Sequence, residues 1–532
     1  MNCARALGLS LVLWLAVSGD AFAQIRTAAL SDQFAPGSNG GLRFGEFRPP
    51  VLNDLGQVAF TGNSTRRVYS EGAGGGLELV AVNGMPAPGG VSFVNFHRLV
   101  LNDSGQLAIE AAFNGGTAPN ASGVGLWTSG VESPLSLVAR EGQAAPGHPA
   151  GATLDNFLSG AFFSPSPPVL NNAGQTAFRG LLSGAGISAP NANDQGLWRD
   201  LGAGATPIAF ADDTTTGLAG GRDLVGFGSP LINNRGQVLA VGESLLSGFI
   251  NDQTLLFDPA GTTTIAASSA HGFMTLAPAK FNDAGEIAIM GRRGRGEEVG
   301  IFRREPSGAV VTVAIAGAQA PGSPDGVRFS MFNPPVINSL GSIAFVAVAG
   351  GDPTGGPPFR TGVWTERGSE LVLVASTGDA APGLDGMAFQ FIDPLVTYNG
   401  ANQVAFTAVA GAVGSPPLQP GIWATDAAGT LRAIAWPGMQ IDVDNGAGVD
   451  LRTATGVSML RSELGGTGNE DGLASAFNER GHLAFMATFS DRSSGVFVSS
   501  AVMIPEPQPW AMAAAALATA FTRRPRVAWS QK

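Results

Sequence analysis

The sequence predicts an all-β fold in which eight repeated units, each of about four short strands, arrange as a β-propeller. Three observations carry that prediction. Gly and Pro supply 76 and 35 of the 532 residues, so about a fifth of the chain favours turns over helix interiors. A unit reading apolar-Asn-x-x-Gly-Gln-apolar-Ala-Phe recurs eight times, and the runs between its copies are short, apolar and alternating, with the length and period of strands. With 44% apolar and only 13% charged residues, the chain can build a large core and does not have the composition of a disordered acidic segment.

The first residues have the layout of a secretory signal: Arg5, the apolar run Leu7 to Val17, then Ala21-Phe22-Ala23 before Gln24. Residues 1–23 are expected to be removed between Ala23 and Gln24, and Cys3, the only cysteine, goes with them. The mature chain then has no disulfide, no thiolate nucleophile and no cysteine-bound metal, so packing must supply its stability. A retained N-terminal anchor fits less well, because the apolar run is about ten residues against the ~20 that span a bilayer.

Residues 24–502 read as one repeat domain. The first turn is Asn53-Asp54-Leu55-Gly56, and the pairs Asn102 with Gly105, Asn171 with Gly174, Asn233 with Gly236, Asn282 with Gly285, Asn338 with Gly341 and Asn478 with Gly481 repeat it. In the seventh copy, after Asn399, the Gly slot is Asn402. A Gly that yields only to Asn marks a backbone position with positive φ, as in a type I turn that closes a hairpin through a bulge. After the turn, Val58 and Phe60 alternate with Ala59 and Thr61 as on a strand with two different faces. Seven of eight copies keep Ala at the Ala59 position, which implies close approach of a neighbouring sheet.

A second signature is Gly-apolar-Trp/Phe, as in Gly125-Leu126-Trp127 and Gly362-Val363-Trp364. A third apolar run, such as Leu137-Val138-Ala139, leads to Ala-Pro-Gly, and a fourth, such as Phe93 to Leu101, returns to the next Asn turn. The turn position advances from 56 to 481 over seven intervals, about 61 residues each, with steps from 49 to 79. The first run after the signal, Thr27 to Leu30, resembles the third strand of a unit, whereas the last unit stops after Gly495-Val496-Phe497. That out-of-phase start predicts that the N-terminal strand completes the eighth blade; an open β-solenoid is the alternative and does not explain it.

At the other end, Pro505-Glu506-Pro507 precedes the apolar run Trp510 to Phe521, followed by Arg523, Arg524 and Arg526. Proline break, apolar stretch and basic cluster in this order resemble the PEP-CTERM sorting signal of exported bacterial proteins, which implies an exosortase-type membrane protease as processing partner. The segment 503–526 departs from that pattern in being short, about 18 Å as a helix against a ~30 Å hydrocarbon core, and in carrying a further tail, 527–532. Transient membrane association is therefore expected rather than permanent anchoring. The repeat itself resembles exported bacterial proteins with tandem N-x-x-G-x-x-A-F repeats and variable C-terminal anchors. That resemblance implies placement at the cell surface or in the extracellular matrix and no reaction.

The residues point the same way. A formal charge of −11 with no long basic run makes nucleic acid a poor partner. His97, His148, His271 and His482 fall in different repeats, with no H-E-x-x-H or G-x-S-x-G motif, so no catalytic residues are assigned. Asp442, Asp444 and Asp450 stand among glycines at spacings that could wrap Ca²⁺, yet the stretch lacks the bidentate acid of an EF-hand loop and also reads as a solvated turn. No other cofactor is expected. Trp127, Trp198, Trp364 and Trp423 could stack on sugars, but their regular recurrence makes them core pieces between blades. The expected role is non-enzymatic binding or structure, with extracellular polysaccharide or an envelope protein as partner. The alternative is a carbohydrate-active propeller enzyme, for which paired carboxylates would have to converge in the central channel from separate blades or from inserts such as Asp212-Asp213.

Overall fold

The computed structural model describes residues 25–504 apart from the connecting segments 38–40, 73–74, 116–121, 130–133, 149–150, 156–166, 185–186, 188–193, 212–223, 247–248, 262, 268–270, 277–278, 295–297, 352–357, 413–419 and 461–469. The signal segment, residues 505–526 of the PEP-CTERM-like segment and Asp212-Asp213 lie outside the described residues.

Eight antiparallel sheets of four or five strands follow one another along the chain and form the eight blades of a propeller. Blade 1 shows the plan: Val51–Leu52, Val58–Gly62, Arg67–Glu71 and Leu77–Val82 run from the channel outward. Each Asn-x-x-Gly unit is the turn between the first two strands of a blade. In blade 1 the Gly56 N–H donates to the Asn53 carbonyl at 3.0 Å, and the Asn53 N–H donates to the Gln57 carbonyl at 3.1 Å. The turn glycines have φ between +74° and +82°, and Asn402 takes +58° in the same slot, which explains why only Asn replaces Gly there.

Neighbouring blades share apolar clusters. Ala59 and Val68 of blade 1 pack with Phe93, Phe96 and Ile109 of blade 2. The indoles of Trp127, Trp198, Trp364 and Trp423 are buried, and each Nε1–H donates to the proline carbonyl of the Ala-Pro-Gly that opens its own blade: Pro88, Pro146, Pro321 and Pro382, at 2.9–3.2 Å. The two signatures are thus halves of one contact. The glycine two residues before each Trp is required by space, since a Cβ on Gly125, Gly196, Gly362 or Gly421 would come within 2.8 Å of the indole.

The ring closes as the out-of-phase start predicts. Ile25–Leu30 pairs antiparallel with Ser494–Ser499 and becomes the outermost strand of blade 8, inside which lie Leu483–Phe489 and Leu451–Ser458. Val496 and Val498 of that blade pack on Phe60 and Tyr69 of blade 1, which excludes the open solenoid. Two side chains hold the closing strand. Arg26 bridges to Glu71 of blade 1. At the bulge between Thr27 and Ala29, Asn445 donates through Nδ2 to the Thr27 carbonyl at 2.6 Å and accepts the Thr27 N–H at 2.8 Å, acting as a substitute strand residue. Asn445→Ala is expected to lower stability by about 1–2 kcal/mol. Its fingerprint is loss of amide-exchange protection confined to residues 25–30; protection unchanged there would show that Asn445 does not latch the ring.

Candidate functional site

The turns converge at one end of the channel, where the asparagine side chains form a closed circle. The Nδ2 of Asn53 donates to the backbone carbonyl of Asn102, Asn102 to Asn171, Asn171 to Asn233, Asn233 to Asn282, Asn282 to Asn338, Asn338 to Asn399, Asn399 to Asn478 and Asn478 back to Asn53, at 2.8–3.2 Å. Each Oδ1 accepts backbone N–H groups of its own turn, as Asn53 does from Leu55 and Gln57 at 3.1 and 2.9 Å. His482, in the Gln57 slot, stands 3.3 Å from Asn478 Nδ2 and lies in the turn just before the strand Leu483–Phe489 rather than in it, its carbonyl accepting the Asn478 N–H at 3.1 Å. The repeated residues are therefore consumed by the fold.

A second belt lies beside the first, made by the residue after each Asn. Asp54 N–H is capped by Asp103 Oδ1 at 2.8 Å, Asp103 by Asn172 at 3.0 Å, and Glu479 by Asp54 at 2.9 Å. Burial, reinforced by neighbouring carboxylates, pushes Asp54 up to about 6, Glu470 up to about 7 and Glu479 up to about 8. Groups whose folded pKa is raised stabilise the fold fully at low pH and lose that contribution as pH rises through the folded value. His482 has the opposite sign, because burial and Arg480 lower it below its ordinary 6.5, so its effect is confined to more acid solution. The midpoint of thermal unfolding is thus expected to fall from about pH 4.5 up to about pH 8, with His482 opposing only below its ordinary 6.5, and Glu479→Gln is expected to flatten the slope above about pH 7, where Glu479 is the last of the three to lose its proton. A wild-type profile that is level over this window would refute the coupled belt.

This end is plugged. In the insert between Leu451–Ser458 and Leu483–Phe489 of blade 8, the segment 470–476 crosses the channel and offers backbone carbonyls to the inner edges of three blades: Asp471 to Ile232 N–H at 3.1 Å, Gly472 to Leu170 at 2.8 Å and Ser475 to Leu52 at 2.7 Å. Leu473 joins the apolar cluster with Val169, Leu231 and Phe281. Asp471, 0% exposed, receives Lys280 Nζ at 3.1 Å, and Lys280 is itself 1% exposed. Burial lowers the lysine pKa, against the pull of Asp471.

Beyond the plug the channel opens into a cavity of about 580 Å³ lined by inner strands of blades 1, 2 and 3, with Leu460, Leu473 and Ala474 of the insert against it. Arg48 and Arg98 bring charge to its lining, and His97 an imidazole. Glu110, 5% exposed, lies 3.5 Å from both His97 Nδ1 and Arg98 Nη1. A small recess beside it shares Pro167 and Pro168 and adds Glu110 and Arg179, the latter 2% exposed with Nη1 donating to the Phe227 carbonyl at 2.9 Å. Sequence reading missed Arg48, Arg98, Glu110 and Arg179; the available signal is that they break the repeat.

The calcium candidates lie elsewhere. Asp442, Asp444 and Asp450 belong to the hairpin that presents Asn445 to Thr27. Asp442 Oδ1 accepts the N–H groups of Asp444 and Asp450 at 3.1 and 2.9 Å, Asp444 Oδ1 accepts that of Gly446 at 2.8 Å, and Asp450 pairs with Arg452 at 2.9 Å. No group of three or more metal-ligating side chains converges among the described residues. No helix among them is long and apolar enough to cross a membrane.

A model of a family of unknown function, DUF7453, matches residues 9–162, 150–263 and 249–511. No curated protein sequence matches. Among solved structures, the chain is similar to Porphyromonas gingivalis dipeptidyl peptidase 4, at 9% identity and a TM-score of 0.43, covering 88% of this chain and 57% of that one. It is also similar to the β-propeller domain of the trilobed protease from Pyrococcus furiosus, at 9% identity and a TM-score of 0.36, covering 77% and 94%. A third likeness is to an α-L-arabinofuranosidase from Fusarium graminearum, at 13% identity and a TM-score of 0.28, covering 62% and 91%. The chain spans little more than half the length of the peptidase, and likenesses at these scores carry nothing about activity.

Proposed function

We propose that this chain, which belongs to the DUF7453 family, is an exported binding protein of the bacterial cell surface or extracellular matrix that holds its partner at the open mouth of the propeller channel and does not transform it. The secretory layout at the N-terminus and the PEP-CTERM-like order of Pro505 to Arg526 support export and processing by an exosortase-type protease. The observation that carries the binding reading is the division of the carboxylates between the two channel ends. At the plugged end, Asp54, Asp103 and Glu479 cap backbone N–H groups. At the open end Glu110 faces His97 and Arg98 and shares its recess with Arg179, whereas a glycosidase needs two carboxyl groups facing one bond.

A glycan-array screen of residues 24–502, with and without Ca²⁺ and with a product assay on every hit, tests this reading. Capture without turnover is the expected result. Turnover of any hit would replace it with a carbohydrate-active enzyme, and silence across the array would move the partner from polysaccharide to envelope protein.

A further inference from the structure

Aligning the eight units on their ring asparagines separates what the fold needs from what it does not. Four residues before that Asn, blades 1, 3, 5 and 6 have Pro49, Pro167, Pro278 and Pro334, and blades 4, 7 and 8 have Ser229, Leu395 and Ala474. Proline suits an inner strand, whose channel-side edge has no partner to receive an N–H. Blade 2 has Arg98 there. Eight residues after the Asn, six blades have Thr61, Val241, Met290, Val346, Thr407 and Met486, whereas blades 2 and 3 have Glu110 and Arg179. Folding therefore does not call for ions at this position, and two nearly fully buried ones carry a desolvation cost that a Val or Met avoids.

The two departures are neighbours: Arg98 lines the cavity, and Glu110 and Arg179 line the small recess that shares Pro167 and Pro168 with it. Glu110 lies within 3.5 Å of His97 and Arg98, and Arg48 lines the adjoining wall with no ion-pair partner among the described residues. At the lip, Asn63, Ser64 and Thr65 hold φ of 55°, 57° and 66°, three successive left-handed non-glycine residues. Thr65 is β-branched and pays most for this conformation, of the kind that persists at ligand clamps; its carbonyl accepts the Phe96 N–H at 2.9 Å and thereby sets the blade 1 turn against the cavity strand of blade 2.

We infer that this mouth binds an acidic saccharide, with a uronate carboxylate held between Arg48 and Arg98 and a sugar face laid on the proline and leucine wall. The inference rests on the binding reading above and names its ligand class. In a chain of net charge −11, a cavity whose permanent charges include Arg48 and Arg98 selects an anion against the field of the rest of the surface. Guanidinium groups match a carboxylate in two-point geometry. Pro49, Leu99, Pro167 and Pro168 supply apolar contact, and about 580 Å³ lies in the ~300–1,000 Å³ range of pockets that enclose a small organic ligand. Glu110 is a positioning residue that aims His97 and Arg98.

The test is calorimetric titration of residues 24–502 with trimers of galacturonate, glucuronate, mannuronate and guluronate, each beside its neutral hexose trimer. At least one acidic trimer is expected to bind, its neutral partner to bind at least about tenfold more weakly, and Arg48→Gln and Arg98→Gln each to weaken the acidic trimer by about tenfold. Arg48 is exposed, so its variant is expected to keep the wild-type unfolding midpoint and to report on binding alone. Equal binding of neutral and acidic trimers would overturn the acidic-sugar inference and leave the binding reading standing. Binding unmoved by both arginine variants, or no binding by any trimer, would also overturn it; cleavage of a trimer would instead overturn the binding reading.

Discussion

Asn171→Ala is expected to destabilise the propeller by about 4–6 kcal/mol, read from urea unfolding. The Asn171 side chain accepts the Ala173 and Gln175 N–H groups at 3.1 and 2.8 Å and donates to Gln175 Oε1 and the Asn233 carbonyl at 2.9 and 2.8 Å. Asn171 is itself 0% exposed, so alanine leaves the Ala173 and Gln175 N–H groups without that partner in a place water reaches poorly, and leaves the Asn233 carbonyl with only the Gly236 N–H at 2.9 Å. The loss spans two blades, because the acceptor belongs to the next turn. Asn171→Asp keeps both acceptor contacts and forfeits the donated ones, so it should fall between alanine and wild type. A cost for Asn171→Ala below about 1 kcal/mol would mean that the circle is incidental to closure.

Lys280→Met is expected to cost about 3–5 kcal/mol, and Lys280→Met with Asp471→Asn to recover most of it. The single change leaves the Asp471 carboxylate buried without its cation, while the double change removes both charges and keeps an oxygen to accept the Leu473 N–H, which Asp471 Oδ1 now receives at 3.1 Å. The readout that separates plug from general stability is amide exchange at Leu52, Leu170 and Ile232, whose N–H groups donate into the plug. Exchange there should rise in Lys280→Met before the blades unfold. Equal costs for single and double variants would show that the pair does not anchor the segment.

Much of the fold was legible because a repeat displays its own requirements. Eight spaced Asn-x-x-Gly units gave the turns, the Asn402 substitution gave the sign of φ, and the out-of-phase Thr27 to Leu30 gave the closing strand; the structure has all three. What local pattern does not hold is what joins one copy to the next. The Asn circle links residues 49 to 79 positions apart along the chain and 425 at the closure, so it reads in sequence only as eight separate turns. The same distance hid the Trp to Pro contact, in which two signatures about 40 residues apart, Pro88 and Trp127, prove to be one interaction.

The candidate site was less legible for a different reason. Motifs and long inserts are where a sequence usually displays function, but here the Asp442 to Asp450 insert serves closure through Asn445. The plug comes from a stretch without periodicity, Glu470 to Ala476, whose role depends on carbonyls meeting the inner edges of three blades. The charged mouth was visible only as exceptions: Arg98 where other blades have Pro, Ser, Leu or Ala, Glu110 and Arg179 where others have Thr, Val or Met. In a repeat protein the repeated residues answer to the fold, and the exceptions are the place to seek a partner.

The most direct measurement is a structure of residues 24–502 with whichever oligosaccharide the screen captures. The account predicts density in the channel mouth against blades 1 to 3, within reach of Arg48 and Arg98 and above Leu473. Density on the outer loops, or among Asp54, Glu470 and Glu479 at the plugged end, would contradict it.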